Sequence, residues 1–238
     1  MQQSVFQFKK FQMLHGHGSM KIGVDAVLLA SWVSCEARNI LDVGTGSGII
    51  ALLLAQRNPE SKILGIDIDA PSVDEARTNF MNSPWKDNLS VKQLEFPKDL
   101  ISQGEKYDMI ISNPPYFDSG VVSPSSQRER ARHQDTLSVF SLIEESPEIL
   151  SIGGKLNVIF PTEFEGAVFE LASIHKFTPL RVCRVKNKEQ SKEKRVMMEL
   201  GYMVQSDNVP EKEVLTLFES GQPTEEYIKL CKDFYLKF

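Results

Sequence analysis

The sequence predicts an α/β protein: a mostly parallel sheet of seven strands with helices on both faces, closed by a C-terminal antiparallel hairpin. Three observations carry this. Short β-branched runs alternate with longer segments of helical spacing from about residue 38 to 175, the pattern of βαβ units around a covered parallel sheet. Beyond residue 178 two extended runs follow each other with only a polar, basic stretch between them, which reads as a hairpin. The chain has 238 residues, 41% apolar and 25% charged, enough to bury a sizeable core without disulfide or metal staples.

Taken in order, residues 1–37 form a segment ahead of the core. Phe6, Phe8 and Phe11 mark a strand packing on the body of the protein, and 26–33 a helical run positioned to lid a bound ligand. The core, 38–178, supplies strands at 39–43, 62–67, 89–94, 107–112 and 155–160. Helices fall between them at 49–57, 72–82, 137–150 and 162–174. The last part, 179–238, holds the hairpin strands 179–186 and 195–204 and a closing helix at 224–236. No repeat, low-complexity stretch or linker interrupts this, so a single domain is expected, and a monomer.

Three distant cysteines (Cys35, Cys183, Cys231), with no Cys-x-x-Cys pair, exclude a zinc ribbon or iron–sulfur cluster and argue against a disulfide framework. No apolar run approaches membrane-spanning length, and the first twenty residues lack a signal peptide's apolar block. A soluble cytoplasmic protein is the expectation, with no membrane partner. His15 and His17 in His-Gly-His lack a third ligand, so no metal is expected. The formal charge is −5, yet residues 181–195 carry seven basic side chains against two acids, and Arg128, Arg130, Arg132 and His133 form a second basic knot. Local patches, not the total, decide whether phosphates can dock.

Candidate chemistry concentrates at two strand ends. Leu41-Asp42-Val43-Gly44-Thr45-Gly46-Ser47-Gly48-Ile49 runs from the first core strand into the first core helix. Its glycines permit a tight turn and close ligand approach. The spacing is G-x-G-x-G, with Ile49 where a dinucleotide fingerprint needs glycine, and no Gly-Lys-Ser/Thr follows. Asp42, just before the loop, would repel a pyrophosphate but suits a ligand bearing an ammonium and a sulfonium. Asp67 ends the next strand, 19 residues after Gly48, where a carboxylate can accept from both ribose hydroxyls, with Ile68 beside it. Asp69 reads first as a helix cap. Glu95, ending the third strand, could reach an adenine. Together these predict S-adenosylmethionine.

The second strand end is Asn113-Pro114-Pro115-Tyr116. Paired prolines stiffen the turn and leave carbonyls without local donors. The Asn113 side-chain oxygen and the Pro114 carbonyl can then accept both hydrogens of a planar amino group. Two acceptors favour pyramidalisation of a delocalised amine such as that of adenine and take up positive charge as a methyl arrives. Tyr116 offers a stacking face for the base.

Asp42–Gly48, Asp67 and Asn113–Tyr116 resemble the Rossmann-like class of S-adenosylmethionine-dependent methyltransferases acting on amino groups. Four further segments resemble the bacterial tRNA1(Val) adenine-N(6)-methyltransferase family: residues 20–29, Asn82-Ser83-Pro84-Trp85, the Arg128–His133 run and Lys232-Asp233-Phe234-Tyr235-Leu236. The likeness spans essentially the whole chain, with Glu95 standing where many relatives carry Asp. It implies methylation of the adenosine 3′ of the anticodon in a valine tRNA. Asp42, Gly44, Gly46, Gly48, Asp67 and Glu95 would then hold the cofactor, and Asn113 and Tyr116 the base. Thr45, Ile68 and Lys21 join the cofactor candidates. Arg128, Arg130, Arg132, Lys186, Lys188, Lys192 and Lys194 are the candidate RNA contacts. Asp25 reads equally as part of the lid or as an N-cap.

Rival readings keep the chemistry and change the substrate: a protein glutamine amide, a guanine amine in ribosomal RNA, or an adenine in DNA. The glutamine reading expects a helical domain ahead of the loop, and 41 residues before Asp42 are too few for one. A non-catalytic RNA-binding subunit expects decay of the loop or of Asn-Pro-Pro-Tyr, and both are intact.

Overall fold

The computed structural model describes residues 4–15, 23–115, 137–205 and 209–238. A small antiparallel hairpin, β1 (Ser4–Gln7) and β2 (Gln12–His15), stands apart from the main sheet. Helix α1 (Val24–Trp32) follows, then the alternating core: β3 (Asn39–Val43), α2 (Ile49–Arg57), β4 (Lys62–Asp67), α3 (Ala70–Met81), β5 (Leu89–Gln93), the short α4 (Lys98–Ile101) and β6 (Tyr107–Ser112). After residue 136 come α5 (Val139–Glu145), β7 (Leu150–Pro161), α6 (Glu165–Ile174), β8 (Phe177–Lys188), β9 (Arg195–Tyr202), β10 (Glu211–Glu219), β11 (Gln222–Pro223) and α7 (Glu225–Cys231).

The main sheet runs β11-β10-β8-β9-β7-β6-β3-β4-β5. Strands β3 to β7 are parallel, and β9 runs antiparallel between β7 and β8. The seven expected strands are all present. The sheet is wider than predicted because β10 adds parallel to β8, and β11 folds back on β10. β10 opens Glu-Lys-Glu, and among its residues only Leu215 and Leu217, on one face, are buried. A half-covered edge strand with a charged start gives little apolar signal.

Alternation along the central strands divides the core in two. Ile40, Met109, Ile111 and Ile159 face α1, α2 and α7, while Leu41, Val43, Ile110 and Val158 face α5 and α6. Helix α2 is apolar nearly all round, which suits burial rather than a surface position. α1 packs over it and is itself buried from Ala26 to Trp32. The predicted helix at 137–150 divides at Pro147: α5 ends at Glu145, a 3-10 turn spans Ser146–Glu148, and β7 begins at Leu150. Strand order reverses between β3 and β6, whose C-terminal ends form the switch point where open α/β sheets bind ligands. No helix among the described residues is long and apolar enough to cross a membrane.

Candidate active site

The loop after β3 is pinned from below. The Gly44 and Thr45 amides both donate to the Ile66 carbonyl at 2.9 Å, tying the turn to β4. Gly44, Gly46 and Gly48 all have positive φ (69°, 55° and 84°). A Cβ on Gly44 would lie 2.9 Å from Leu137 Cδ2, and one on Gly48 would enter the Phe80 ring. Above Gly46 the space is open. The chain therefore spends its glycines where the turn requires them, with the middle one facing an approachable surface.

Asp42 sits under this loop, fully buried. Its Oδ2 accepts from Thr45 Oγ1 (2.6 Å) and from the Ala51 amide in α2 (3.3 Å), while Oδ1 is buried with no hydrogen-bond partner. Burial pushes the carboxyl up to about 7, against the opposing pull of those two hydrogen bonds and with a small further push from Asp67. The sequence places this acid beside the ligand. The structure turns it inward, so it shapes the loop through Thr45.

Asp67, ending β4, is half-buried. Its Oδ2 accepts from the Gly46 amide (2.9 Å) and its Oδ1 from the Asp69 amide (3.0 Å). That holds the carboxylate at the lip of the loop, with Ile68, 62% exposed, next to it. Asp69 caps α3 as expected, accepting from the Ser72 amide and hydroxyl (3.0 and 2.7 Å). Glu95 lies one strand further along the edge; it is exposed and pairs with Lys98 at 3.4 Å. An inward carboxylate, an open glycine turn, a lip carboxylate and an exposed aliphatic side chain together fit a cationic nucleoside.

Asn113 and Pro114 continue β6 beside this loop. In register, Asp42 pairs with Ile111, so Gly44 and Asn113 each follow that pair by two residues, at neighbouring strand ends. Ser112 Oγ donates to the Val43 carbonyl at 2.7 Å, locking the two strand ends together. Asn113 is half-buried, Pro114 buried and Pro115 exposed. Tyr116, Lys21, His17, Arg128, Arg130, Arg132 and His133 lie outside the described residues.

The basic stretch divides by function. Arg184 makes two hydrogen bonds to Glu165 (2.9 and 2.6 Å), Arg181 pairs with Glu213 (2.9 Å) over the Trp32 ring, and Arg195 pairs with Asp25 (2.5 Å). These arginines, counted from the sequence as available charge, are committed to structure. Asp25 is not the N-cap either: Gly23 caps α1 and Asp25 lies in its first turn. Lys186 pairs with Glu193 at 3.5 Å. Lys188, Lys192 and Lys194 are exposed at the tip of the β8–β9 hairpin, on the same sheet edge as Asn113, and form no ion pair among the described residues. No group of three metal-ligating side chains converges among those residues.

Residues 14–176 match the family described as Methyltransferase small domain. The tRNA1(Val) (adenine(37)-N6)-methyltransferase of Parabacteroides distasonis is 38% identical over 235 residues, 98% of each chain. The chain belongs to the tRNA1(Val) (adenine(37)-N6)-methyltransferase family. Among solved structures, a protein from Agrobacterium tumefaciens described as a predicted O-methyltransferase superposes with TM-score 0.67 at 17% identity, covering 88% of this chain and 96% of its own. P. horikoshii TYW2 in complex with MeSAdo gives 0.59 at 13% identity, covering 85% and 72%. These two likenesses concern the fold.

Within this tRNA1(Val) (adenine(37)-N6)-methyltransferase family member, one site residue escaped the sequence reading. Asn79 of α3 is 1% exposed and bonds both the glycine loop and the N-terminal hairpin. Its only sequence signal is a polar residue on the apolar face of a helix, one place before Phe80.

Proposed function

We propose that this protein transfers a methyl group from S-adenosylmethionine to the exocyclic amine of adenine 37 in tRNA1(Val). The observation that carries the reading is the register of β3 with β6, which sets the glycine loop and Asn113-Pro114 on adjacent strand ends at the switch point. S-Adenosylmethionine, when bound, supplies the methyl group as an electrophilic sulfonium. Asp67, the loop of Gly44, Thr45, Gly46 and Gly48, and Ile68 would hold its nucleoside, with Glu95 and Lys21 as further candidates. Asp42 would supply negative potential from beneath once a bound cation draws off its proton.

The target base must leave its stack to reach this edge, a small cost in an anticodon loop whose bases already splay outward. The Asn113 side-chain oxygen and the Pro114 carbonyl accept the two amine hydrogens. They orient the nitrogen lone pair and take up charge as it develops, so positioning supplies most of the rate. The N–C bond forms as the sulfonium's S–C bond breaks, and the cationic, acidic amine that results gives its proton to solvent, so no strong base is needed. Tyr116 stacks on the base, worth ~1–3 kcal/mol. Lys186, Lys188, Lys192 and Lys194 meet flanking phosphates, together with Arg128, Arg130 and Arg132. The hairpin strand β8 is three strand spacings from β6, about 15 Å, too far for the target base and suited to its neighbours. A tRNA substrate places the protein in the cytoplasm.

The test is incubation with labelled cofactor and total tRNA from a strain lacking the gene, followed by nucleoside mass spectrometry. N6-methyladenosine at position 37 of tRNA1(Val) is expected. Label in protein or in another nucleoside would overturn the substrate assignment.

A further inference from the structure

Among the described residues, hairpin β1–β2 belongs to no larger sheet, and a lone two-stranded hairpin is marginal in water. Phe8, Phe11 and Met13 are buried in the core beneath it, and Lys9 N–H donates to the Phe234 carbonyl (2.9 Å). Lys9 Nζ donates to the Lys232 carbonyl (2.5 Å) and the Phe6 and Phe8 rings pack on Tyr235; a further anchor is one side chain. Asn79 Oδ1 accepts from the Leu14 amide (2.7 Å), and Asn79 Nδ2 donates to the Leu14 carbonyl (3.0 Å), so the amide replaces a neighbouring strand for β2. The second Nδ2 hydrogen goes to the carbonyl of Ser47 in the glycine loop (2.9 Å). Both donor hydrogens of the amide are thereby used.

Neighbouring residues of the same helix end repeat this double attachment. The Phe80 ring closes against Gly48. Ser83 Oγ donates to the Phe80 carbonyl (2.9 Å) and accepts from the Trp85 amide (3.2 Å), and the Trp85 ring stands edge-on to Phe11 with centroids 5.7 Å apart. The Asn-Ser-Pro-Trp segment thus ties the hairpin to Phe80, whose ring closes on Gly48. The Methyltransferase small domain match begins only at residue 14, so most of the hairpin lies outside it.

We infer that Asn79 is a positioning residue that couples the N-terminal hairpin to the cofactor loop, making hairpin docking a condition for tight cofactor binding. This rests on the reading of that loop as the cofactor site. Without the Asn79 amide, the Leu14 amide and the Ser47 carbonyl lose their partners together, and the backbone from Gly46 to Gly48 loses its only side-chain tether to α3 among the bonds described.

The experiment compares Asn79→Ala, Asn79→Asp and Phe11→Leu with the wild type, each checked for native circular dichroism. Asn79→Asp keeps the acceptor for Leu14 but turns an oxygen toward the Leu14 and Ser47 carbonyls. Phe11→Leu loosens the hairpin without touching the loop. Calorimetry with S-adenosylhomocysteine should show Kd rising about 10–100-fold for both Asn79 variants and several-fold for Phe11→Leu. In turnover, KM for the cofactor rises while kcat at saturation and KM for tRNA stay within about threefold. The Phe11→Leu effect on Kd should vanish in the Asn79→Ala background. Hydrogen exchange at the Gly48 amide, measured without ligand, should quicken in all three variants. Unchanged Gly48 exchange in Phe11→Leu, or a wild-type Kd in Asn79→Asp, overturns the coupling. If the wild type binds no S-adenosylhomocysteine, the cofactor reading fails, and Gly48 exchange alone then decides the coupling.

Discussion

Asp42 offers a prediction that needs no substrate. Its carboxyl is fully buried, and burial raises it from 3.8 to about 7 in the folded protein. Below pH ~3.8 the acid is protonated in both folded and unfolded chains and contributes nothing to pH dependence. Between that pH and about 7 the unfolded chain releases the proton and the folded chain keeps it, so stability falls as pH rises. Above about 7 the folded chain carries a buried charge, and the loss levels off. The whole excursion, some three pK steps at 1.36 kcal/mol each, is ~4 kcal/mol. For a chain of this size that is roughly 8–16 °C in Tm. Asp42→Asn imitates the protonated form and abolishes the titration. Other groups titrate alike in both proteins, so the difference between their unfolding free energies isolates Asp42. The assay is urea unfolding of ligand-free wild type and Asp42→Asn from pH 4.5 to 8. The wild type should lose ground to the variant by most of the ~4 kcal/mol over that range, with the steepest change below pH 7. Calorimetry adds a second readout. A cationic ligand that draws the Asp42 carboxyl down should release about half a proton at pH 7 and nearly a whole one at pH 6. A difference curve that stays flat with pH would refute the assignment of a buried proton to Asp42, and ligand binding without proton release would refute its action on the cation.

Other perturbations read out separately. Asn113→Ala should lower methyl transfer at least 100-fold, on the order of losing one transition-state hydrogen-bond partner, while S-adenosylhomocysteine affinity stays within about twofold. Unaltered turnover would remove Asn113 from the chemistry. Gly48→Ala combines a positive φ with a Cβ inside the Phe80 ring and should cost ~2–5 kcal/mol of stability in urea titration. Neutralising Lys188, Lys192 and Lys194 to Gln should flatten the plot of log Kd for tRNA against log salt by about 2–3, with cofactor affinity unchanged. A full wild-type slope would move the phosphate track elsewhere. Glu199 is 2% exposed, takes the part-exposed Lys155 at 3.0 Å and accepts from the Ser34 amide, so Glu199→Ala should cost ~1–3 kcal/mol by chemical denaturation.

The strands that build the site were legible because both of their faces are buried and their ends carry turn chemistry. Asn39–Val43, Lys62–Asp67 and Tyr107–Ser112 match the sequence reading to the residue. Their glycine, aspartate and Asn-Pro-Pro punctuation is local, so it can be read locally. What escaped is set by partners distant in sequence. β10 is an edge strand apolar on one face, recognisable only once β8 is beside it. Arg184 looks the same in sequence whether it meets a phosphate or Glu165 nineteen residues earlier. The inward turn of Asp42 depends on Thr45 folding back over it, and Asn79 gains its meaning from Leu14, 65 residues upstream.

The fold also divides the work across one seam. On the proposed reading, the loop, β4, β5, α3 and the N-terminal hairpin, on one side of β3, would bear on the cofactor. On the other, β6, β7, β9, β8 and β10 would carry the amine clamp and, about 15 Å out, the exposed lysines. The two halves touch most directly where β3 pairs with β6 and Ser112 bonds the Val43 carbonyl. Among the described residues no side-chain hydrogen bond links the hairpin-tip lysines to the glycine loop. Energetic independence is therefore the expectation for distant substitutions, which add when they share no partner. An Asn79→Ala, Lys188→Gln double variant should show the cofactor defect of the first and the RNA defect of the second, each undiminished. A coupling above about 0.5 kcal/mol between them would mean that the seam transmits strain, and that loop and hairpin tip form one cooperative unit rather than two.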